Sequence, residues 1–303
     1  MNAKVLAGTR WVTDGGLETD LIFNRGLDLP EFASFPLVQD ADGTAVLRSY
    51  YAEYAAVAAA AGAGLLVETP TWRANPDWGR VLGYDADRLD GANRAATAFA
   101  RSVAEGSEVE HARVSGVVGP RGDGYVAGGV DADQAADYHS GQVSSFASEG
   151  VDLVHAMTMT EPAEAIGVVR AARAAGVPVA ISFTVETDGR LPDGSTLRDA
   201  IQAVETAAPA DWYGVNCAHP THVAPALDGG GWPARLVFFR PNASTMSHAE
   251  LDEMEVLDSG DRGLLTTSAA ALREKAPTLA VLGGCCGTDS SHVAALWGVP
   301  VGI

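Results

Sequence analysis

The chain has 303 residues, with 20 Lys and Arg against 39 Asp and Glu, a net charge of −19 and a pI near 4.6. It therefore lacks the clustered cations that a nucleic-acid or anionic-membrane surface needs. At 47% hydrophobic and 19% charged, with mean hydropathy +0.06, the composition excludes a disordered chain and implies a compact soluble one.

The start, through Trp11, carries no apolar signal core, and the longest apolar stretch, Ala55 to Val67, is rich in Ala and Gly and shorter than the roughly 18 residues of a membrane span. A cytoplasmic protein with no membrane or nucleic-acid partner is expected. Short runs rich in Val, Ile and Leu then recur: Trp11 to Asp14, Leu65 to Thr69, Arg113 to Gly119, Val151 to Ala156, Val177 to Phe183, Trp212 to Cys217, Arg235 to Arg240 and Leu279 to Gly284. Their length and continuous apolar character predict strands buried on both faces of a parallel sheet.

Helical segments are expected between them. Ala165, Ile166, Val169 and Ala172 share one face at spacings of three and four, which would pack on the sheet. Asp131 before Gln134, and Thr196 before Asp199, read as capping boxes; Thr160 reads as the cap of a helix with Pro162 in its first turn, and Gly176 with Pro178 as the stop after Ala163 to Ala175. Eight strands alternating with helices predict an α/β fold, a single (β/α)8 TIM barrel spanning 1–303 as one domain, because the first strand is followed by Asp14-Gly15-Gly16-Leu17-Glu18 and not by a dinucleotide-binding glycine fingerprint. The cluster Asp228-Gly229-Gly230-Gly231 reads as one loop.

In such a barrel the residues closing each strand face the active mouth. Cys217 closes the sixth run, and Cys285 with Cys286 the eighth; an odd count with two adjacent residues makes no disulfide framework. Three thiolates fill three positions of a tetrahedral zinc ion and leave the fourth for a thiol substrate, whose proton the metal would displace. Gly283, Gly284 and Gly287 are expected to allow positive φ and close approach of backbone. Other readings of the cysteines are small buried apolar side chains, or one cysteine nucleophile with His219 or His155 as its base. His219 could instead be a fourth ligand or hydrogen-bond to one.

The segments Gly214-Val215-Asn216-Cys217 and Gly283-Gly284-Cys285-Cys286-Gly287-Thr288 give the chain a resemblance to the homocysteine S-methyltransferase family, including its betaine-dependent members. Asp14-Gly15-Gly16, Glu68-Thr69-Pro70-Thr71-Trp72, Gly119-Pro120 and Pro241-Asn242-Ala243 extend the resemblance almost end to end. It implies zinc held by Cys217, Cys285 and Cys286 on a (β/α)8 barrel, and methyl transfer to a thiol. It further implies that Asp14 receives the substrate ammonium while the N–H groups of Gly15 and Gly16 receive its carboxylate, with Thr71 and Asn216 at the substrate site.

Two departures stand out. Where family members carry Glu-Thr after strand four, the glutamate helping to hold the amine, this chain has Met157-Thr158; and Arg73 stands where a neutral or aromatic residue is usual. Arg73 could bind a substrate carboxylate or pair with Asp77 or Glu68. The expected function is zinc-dependent S-methyl transfer from S-methylmethionine or S-adenosylmethionine to homocysteine, giving methionine. The alternatives are the same chemistry on another small thiol, a non-catalytic zinc- and thiol-binding barrel, and a cysteine-nucleophile hydrolase.

Overall fold

The computed structural model describes residues 5–122, 124–227 and 229–300, so Asp228 of the glycine cluster lies outside the described residues. Eight strands occur in it: β1 (Trp11–Val12), β2 (Gly64–Glu68), β3 (Ala112–Val118), β4 (Leu153–Met159), β5 (Val179–Phe183), β6 (Trp212–Asn216), β7 (Leu236–Arg240) and β8 (Val281–Leu282). Each pairs in parallel with the next, and β8 returns to β1 through Trp11↔Val281 and Val12↔Leu282, closing a barrel. This is a (β/α)8 barrel, and each predicted apolar run overlaps one of its strands.

The ends of the runs differ from expectation in informative ways. β1 and β8 are two residues each, because Asp14, Gly283 and Gly284 leave the ladder to build the mouth, with the Gly284 N–H donating to the Asp14 carbonyl at 2.9 Å. β4 runs three residues past the predicted end at Ala156, through a register shift between Ala156 and Met159. Long helices cover the outside, among them Ala41–Ala61, Ala86–Gly106, Ala132–Ser148, Pro162–Ala175, Leu197–Ala207 and Arg262–Lys275, whereas β6 is followed by only the four-residue Pro220–Val223.

Local signals explain several helix ends. Asp131 accepts from the Asp133 and Gln134 N–H groups and Thr196 from that of Asp199, satisfying donors that the helix itself leaves open. Thr160 is not a cap: the helix starts at Pro162 and its N-cap is Glu161, which makes no capping bond. Its carboxylate instead accepts from the Val130 N–H at 3.3 Å, and Pro162 removes one of the donors a cap would serve. Gly176, at φ 72, closes that helix as expected.

Period-two alternation along the strands sorts the barrel interior into layers. The floor is apolar, with Trp11, Leu66, Leu153, Ala180, Trp212, Phe238 and Val281 in one cluster. Two residues further along several strands stand Glu68, His155, Ser182 and Arg240, all buried. The apolar floor seals one end, so the polar layer forms the base of a mouth at the other. Among the described residues no helix is long and apolar enough to cross a membrane.

Candidate active site

The three cysteines converge at the carboxyl ends of β6 and β8. Their sulfur atoms lie within 4.8 Å of one another, and none is in a disulfide. Cys217 turns out of β6 in a left-handed conformation, φ 54, anchored by its N–H to the Arg240 carbonyl at 3.0 Å. The Cys285 N–H donates to the Pro241 carbonyl at 2.7 Å, and the Ala243 N–H to the Cys286 carbonyl at 3.1 Å. Of the three neighbouring glycines only Gly287 has positive φ, 77. Gly283 is required by packing, since a Cβ there would sit 2.5 Å from the Asp14 carbonyl oxygen.

Side chains fix the sulfurs from several directions. The Asn242 amide points at Cys217 Sγ from 3.7 Å and the Asn216 amide at Cys285 Sγ from 3.8 Å. Asn216 also accepts from the Thr158 N–H at 2.6 Å and donates to its hydroxyl at 2.8 Å, joining the end of β4 to the thiol cluster. The Tyr125 hydroxyl lies 3.2 Å from Cys217 Sγ, and its ring stacks on His248 at 4.1 Å. His248 links the Cys217 carbonyl, 2.6 Å, to Glu186, 2.7 Å. Burial alone would lower the His248 pKa, but hydrogen bonding at Cys217 and Glu186 outweighs it and pushes it up to about 10. Hydrogen bonds from the other two thiols hold Cys217 well below the ordinary thiol range.

Beneath the thiols, Arg240 organises the polar layer. Its guanidinium donates to the Gly284 carbonyl at 2.9 Å and the Gly15 carbonyl at 2.9 Å, and it pairs with Asp14 Oδ1 at 2.9 Å and with Glu68. It also reaches Met157 Sδ at 3.4 Å. Glu68 in turn accepts from His155 Nδ1 at 2.6 Å, and His155 Nε2 meets the Ser182 hydroxyl at 2.7 Å. Desolvation drives the His155 pKa down to about 3, so the imidazole is neutral and its Nδ1 is the donor to Glu68.

Two adjoining cavities open on this geometry. The inner one, of about 70 Å³, is walled by Asp14, Gly15, Gly16, Met157, Asn216 and Cys285 among others. The outer one, of about 440 Å³, is reached by Arg73 and His248. Phe32, Trp72, Tyr125 and Cys286 line both. The non-glycine residues of positive φ among the described residues are Glu31, Phe32, Thr158 and Cys217, and all four border the cavities or the thiol cluster, where sparsely populated backbone conformations tend to concentrate.

Several residues singled out in the sequence take positions that alter their reading. Asp14 lines the inner cavity and is held there by Arg240, Tyr50 and Thr13. The Gly16 N–H is committed to the Thr288 carbonyl at 3.0 Å, which removes one of the two expected anion donors. Thr71 turns into the wall, its hydroxyl donating to the Val117 carbonyl at 2.7 Å. Arg73 pairs with neither Asp77 nor Glu68, which are held by Arg80, Arg121 and Arg240; its guanidinium lies over the Trp78 ring at 3.9 Å. His219 caps the short helix Pro220–Val223 through its Nδ1, and neither it nor His155 hydrogen-bonds a cysteine sulfur, which leaves the hydrolase reading without either histidine named as its base.

Arg240, Tyr125, His248 and Glu18 were not singled out. A charged residue ending the apolar run Leu-Val-Phe-Phe was the available signal for Arg240, since an arginine there must face the barrel interior. Three clustered thiols at these separations are a donor set for a thiophilic metal ion.

The description "Homocysteine S-methyltransferase" belongs to the family model that matches residues 11–298. The chain is 30% identical over 239 residues to the methionine synthase of Mycobacterium tuberculosis, and 31% identical over the same length to that of Mycobacterium leprae, in each case over 75% of this chain. It spans only 19% of the length of those relatives. Among solved structures, the homocysteine methyltransferase MmuM of Escherichia coli in its oxidized form superposes with a TM-score of 0.75 at 21% identity over 95% of each chain. Its metallated form gives 0.74 at 21% over 98% of each.

Proposed function

The chain belongs to the homocysteine S-methyltransferase family, and on that premise we propose that it moves a methyl group from a sulfonium donor, S-methylmethionine or S-adenosylmethionine, to the sulfur of homocysteine, giving methionine. The observation that carries this reading is the convergence of three thiols where two cavities meet. Zinc fits the donor set, with Cys217, Cys285 and Cys286 as ligands, because tetrahedral zinc takes three thiolates and keeps one position for a substrate sulfur. When bound, it supplies the positive charge that keeps the acceptor a thiolate near neutral pH, where a free thiol of pKa ~8.5 is only a few per cent ionised.

The chain's own residues supply positioning. Asn216, Asn242 and Tyr125 fix the sulfur ligands, and the inner cavity, between Asp14-Gly15-Gly16 and Met157, takes the acceptor. The outer cavity takes the donor: Phe23, Phe32, Trp72 and Tyr125 line it, and aromatic faces attract a sulfonium as they do other cations. Arg73 stands in the same cavity and can take the carboxylate that both donors carry. The acceptor sulfur forms its bond to the methyl carbon as the donor's carbon–sulfur bond breaks, and the donor leaves as a neutral thioether. No proton moves at the methyl group, so no general base is required, and alignment of the two substrates can contribute about 7–11 kcal/mol.

The purified protein is expected to carry one zinc and to form methionine from homocysteine when a matrix of methyl donors and thiol acceptors is assayed. Stoichiometric zinc and tight thiol binding with no methyl transfer from any donor would instead identify a zinc- and thiol-binding barrel. Efficient turnover confined to thiols other than homocysteine would establish the same chemistry on another acceptor, a reading that Met157 favours.

A further inference from the structure

We propose that Glu161 and Glu164, one turn apart at the start of the helix Pro162–Ala175, are positioning residues that hold Tyr125 against the thiol cluster; this rests on the reading of those thiols as metal ligands. Through Tyr125 the loop after β3 reaches the site. Its hydroxyl lies 3.2 Å from Cys217 Sγ and 3.9 Å from Cys286 Sγ, and its ring borders both cavities. The loop around it buries little: Arg121, Gly122, Gly128 and Gly129 are exposed, and Val126 keeps 62% of its surface accessible. Apolar packing therefore does little to fix the tyrosine, and the hydrogen bonds at the two ends of the loop must do more.

Those bonds end on the two glutamates. Glu164 Oε1 accepts from the Arg121 N–H at 2.6 Å, before the tyrosine, and Glu161 accepts from the Val130 N–H at 3.3 Å, after it. His139 Nε2, 2.9 Å from the same Glu164 oxygen, fixes that carboxylate from the neighbouring helix Ala132–Ser148. Residues three apart on a helix share a face, so one turn presents both carboxylates to one loop. Both are buried, and a buried carboxylate is costly unless its hydrogen bonds are made; here they are made to the backbone of another element. Asp131 and Thr196 cap their own helices, whereas Glu161 makes no capping bond. Asn75 and Trp78 also bond the Pro120 and Gly122 carbonyls, so the start of the loop survives loss of either glutamate while the approach of Tyr125 loosens. Beside the tyrosine, a Cβ on Gly124 would lie 2.9 Å from the Trp72 ring, so the backbone there passes close against the cavity wall.

A double-mutant cycle on metal affinity, read by competition of the full chain with a chelator, tests this. Tyr125→Phe, which removes the hydroxyl at Cys217, should weaken zinc binding by roughly 10-fold, and Glu164→Ala by a similar factor. The double variant should be no weaker than either single one, because both remove the same contact, and Glu164→Gln, which keeps an acceptor oxygen, should restore wild-type affinity. Losses that multiply in the double variant would mean that Glu164 acts on the fold at large and would overturn the proposal; so would wild-type affinity in Tyr125→Phe, which needs no glutamate variant to fold. Glu161→Ala, which leaves the Arg121 and His139 bonds intact, runs the same cycle should Glu164→Ala be unstable, with an expected loss of about threefold that vanishes in the Tyr125→Phe background. Alkylation of Cys217 by iodoacetamide in metal-free protein separates the two readings. Faster labelling in Glu164→Ala, in a chain whose wild type takes up no zinc, would keep the positioning role and remove the metal centre; equal labelling rates overturn the positioning role.

Discussion

Cys285 sits at the rim, partly accessible, with its N–H bonded to Pro241 and its sulfur facing Asn216. Removing that sulfur would delete one of the three proposed metal ligands without opening a cavity in the core, so Cys285→Ala should keep the wild-type circular dichroism spectrum while its metal content falls to near zero and methyl transfer is lost. Full activity with negligible metal would contradict the proposed chemistry. His155 makes a second prediction, with a definite sign. Its folded pKa of about 3 lies below the unfolded value near 6.5, so the unfolded chain takes up the proton first as pH falls. Its contribution is intact above about pH 6.5 and is lost between there and 3, by up to about 1.4 kcal/mol per pH unit. His219, lowered to about 4 by burial, adds to the same acid limb. His248, at about 10, acts oppositely, its contribution present below about 6.5 and lost as pH rises through 10. Urea unfolding from pH 4 to 7 should show a shallower acid slope for His155→Asn than for wild type; parallel slopes would mean that His155 takes up its proton over the same pH range in the folded and unfolded chains. At this scale the cysteines were legible because a thiol at a strand end is rare and has few uses. The ionic layer was not: which of several carboxylates Arg240 neutralises depends on the closure of the barrel, which no local spacing encodes.

Gly167 decides how closely the helices Ala132–Ser148 and Pro162–Ala175 approach. A Cβ on it would lie 2.7 Å from the Ala136 backbone nitrogen and 2.8 Å from the Ala135 carbonyl carbon. On an open helix, Gly→Ala gains about 1 kcal/mol; here the added methyl must push two helices apart, and overpacking typically costs about 1–3 kcal/mol. Gly167→Ala should therefore lower the urea midpoint while leaving metal content unchanged, because this helix pair lies outside the barrel. A raised midpoint would show that the helices can separate without penalty. The elements themselves were legible from continuous apolar runs such as Leu65 to Thr69, whose five residues are all buried. What the runs could not supply was where pairing stops. Met157 and Thr158 lie in β4 beyond a register shift, with the Thr158 N–H bonded to Asn216 of β6, and the next helix starts one residue later than a Thr160 cap implies, with Glu161 at its N-cap and Pro162 at its first position.

The barrel is thinnest around its closing strands, since β7 and β8, β8 and β1, and β1 and β2 each share only two register pairs. The thiol cluster lies beside that seam, with Cys217 following β6 and Cys285 and Cys286 following β8, so a shared metal ion would clamp two strands across the intervening β7. A ligand bound only by the folded chain stabilises it by RT ln(1 + [L]/Kd), about 4 kcal/mol at a concentration 1,000 times Kd. Chelation of the metal-loaded protein should therefore lower its melting temperature by on the order of 5–10 °C. Hydrogen exchange should locate the loss: amides of Gly283, Gly284 and Cys285, which bond Phe239, Asp14 and Pro241, should exchange faster after chelation, while those of the helix Pro162–Ala175 keep their protection. Cys285→Ala should melt at one temperature with or without chelator. If the wild-type protein, with its metal shown to be gone, melts unchanged and exchanges evenly, then the seam is held by Arg240 and the backbone alone, and the three thiols serve chemistry without serving the fold.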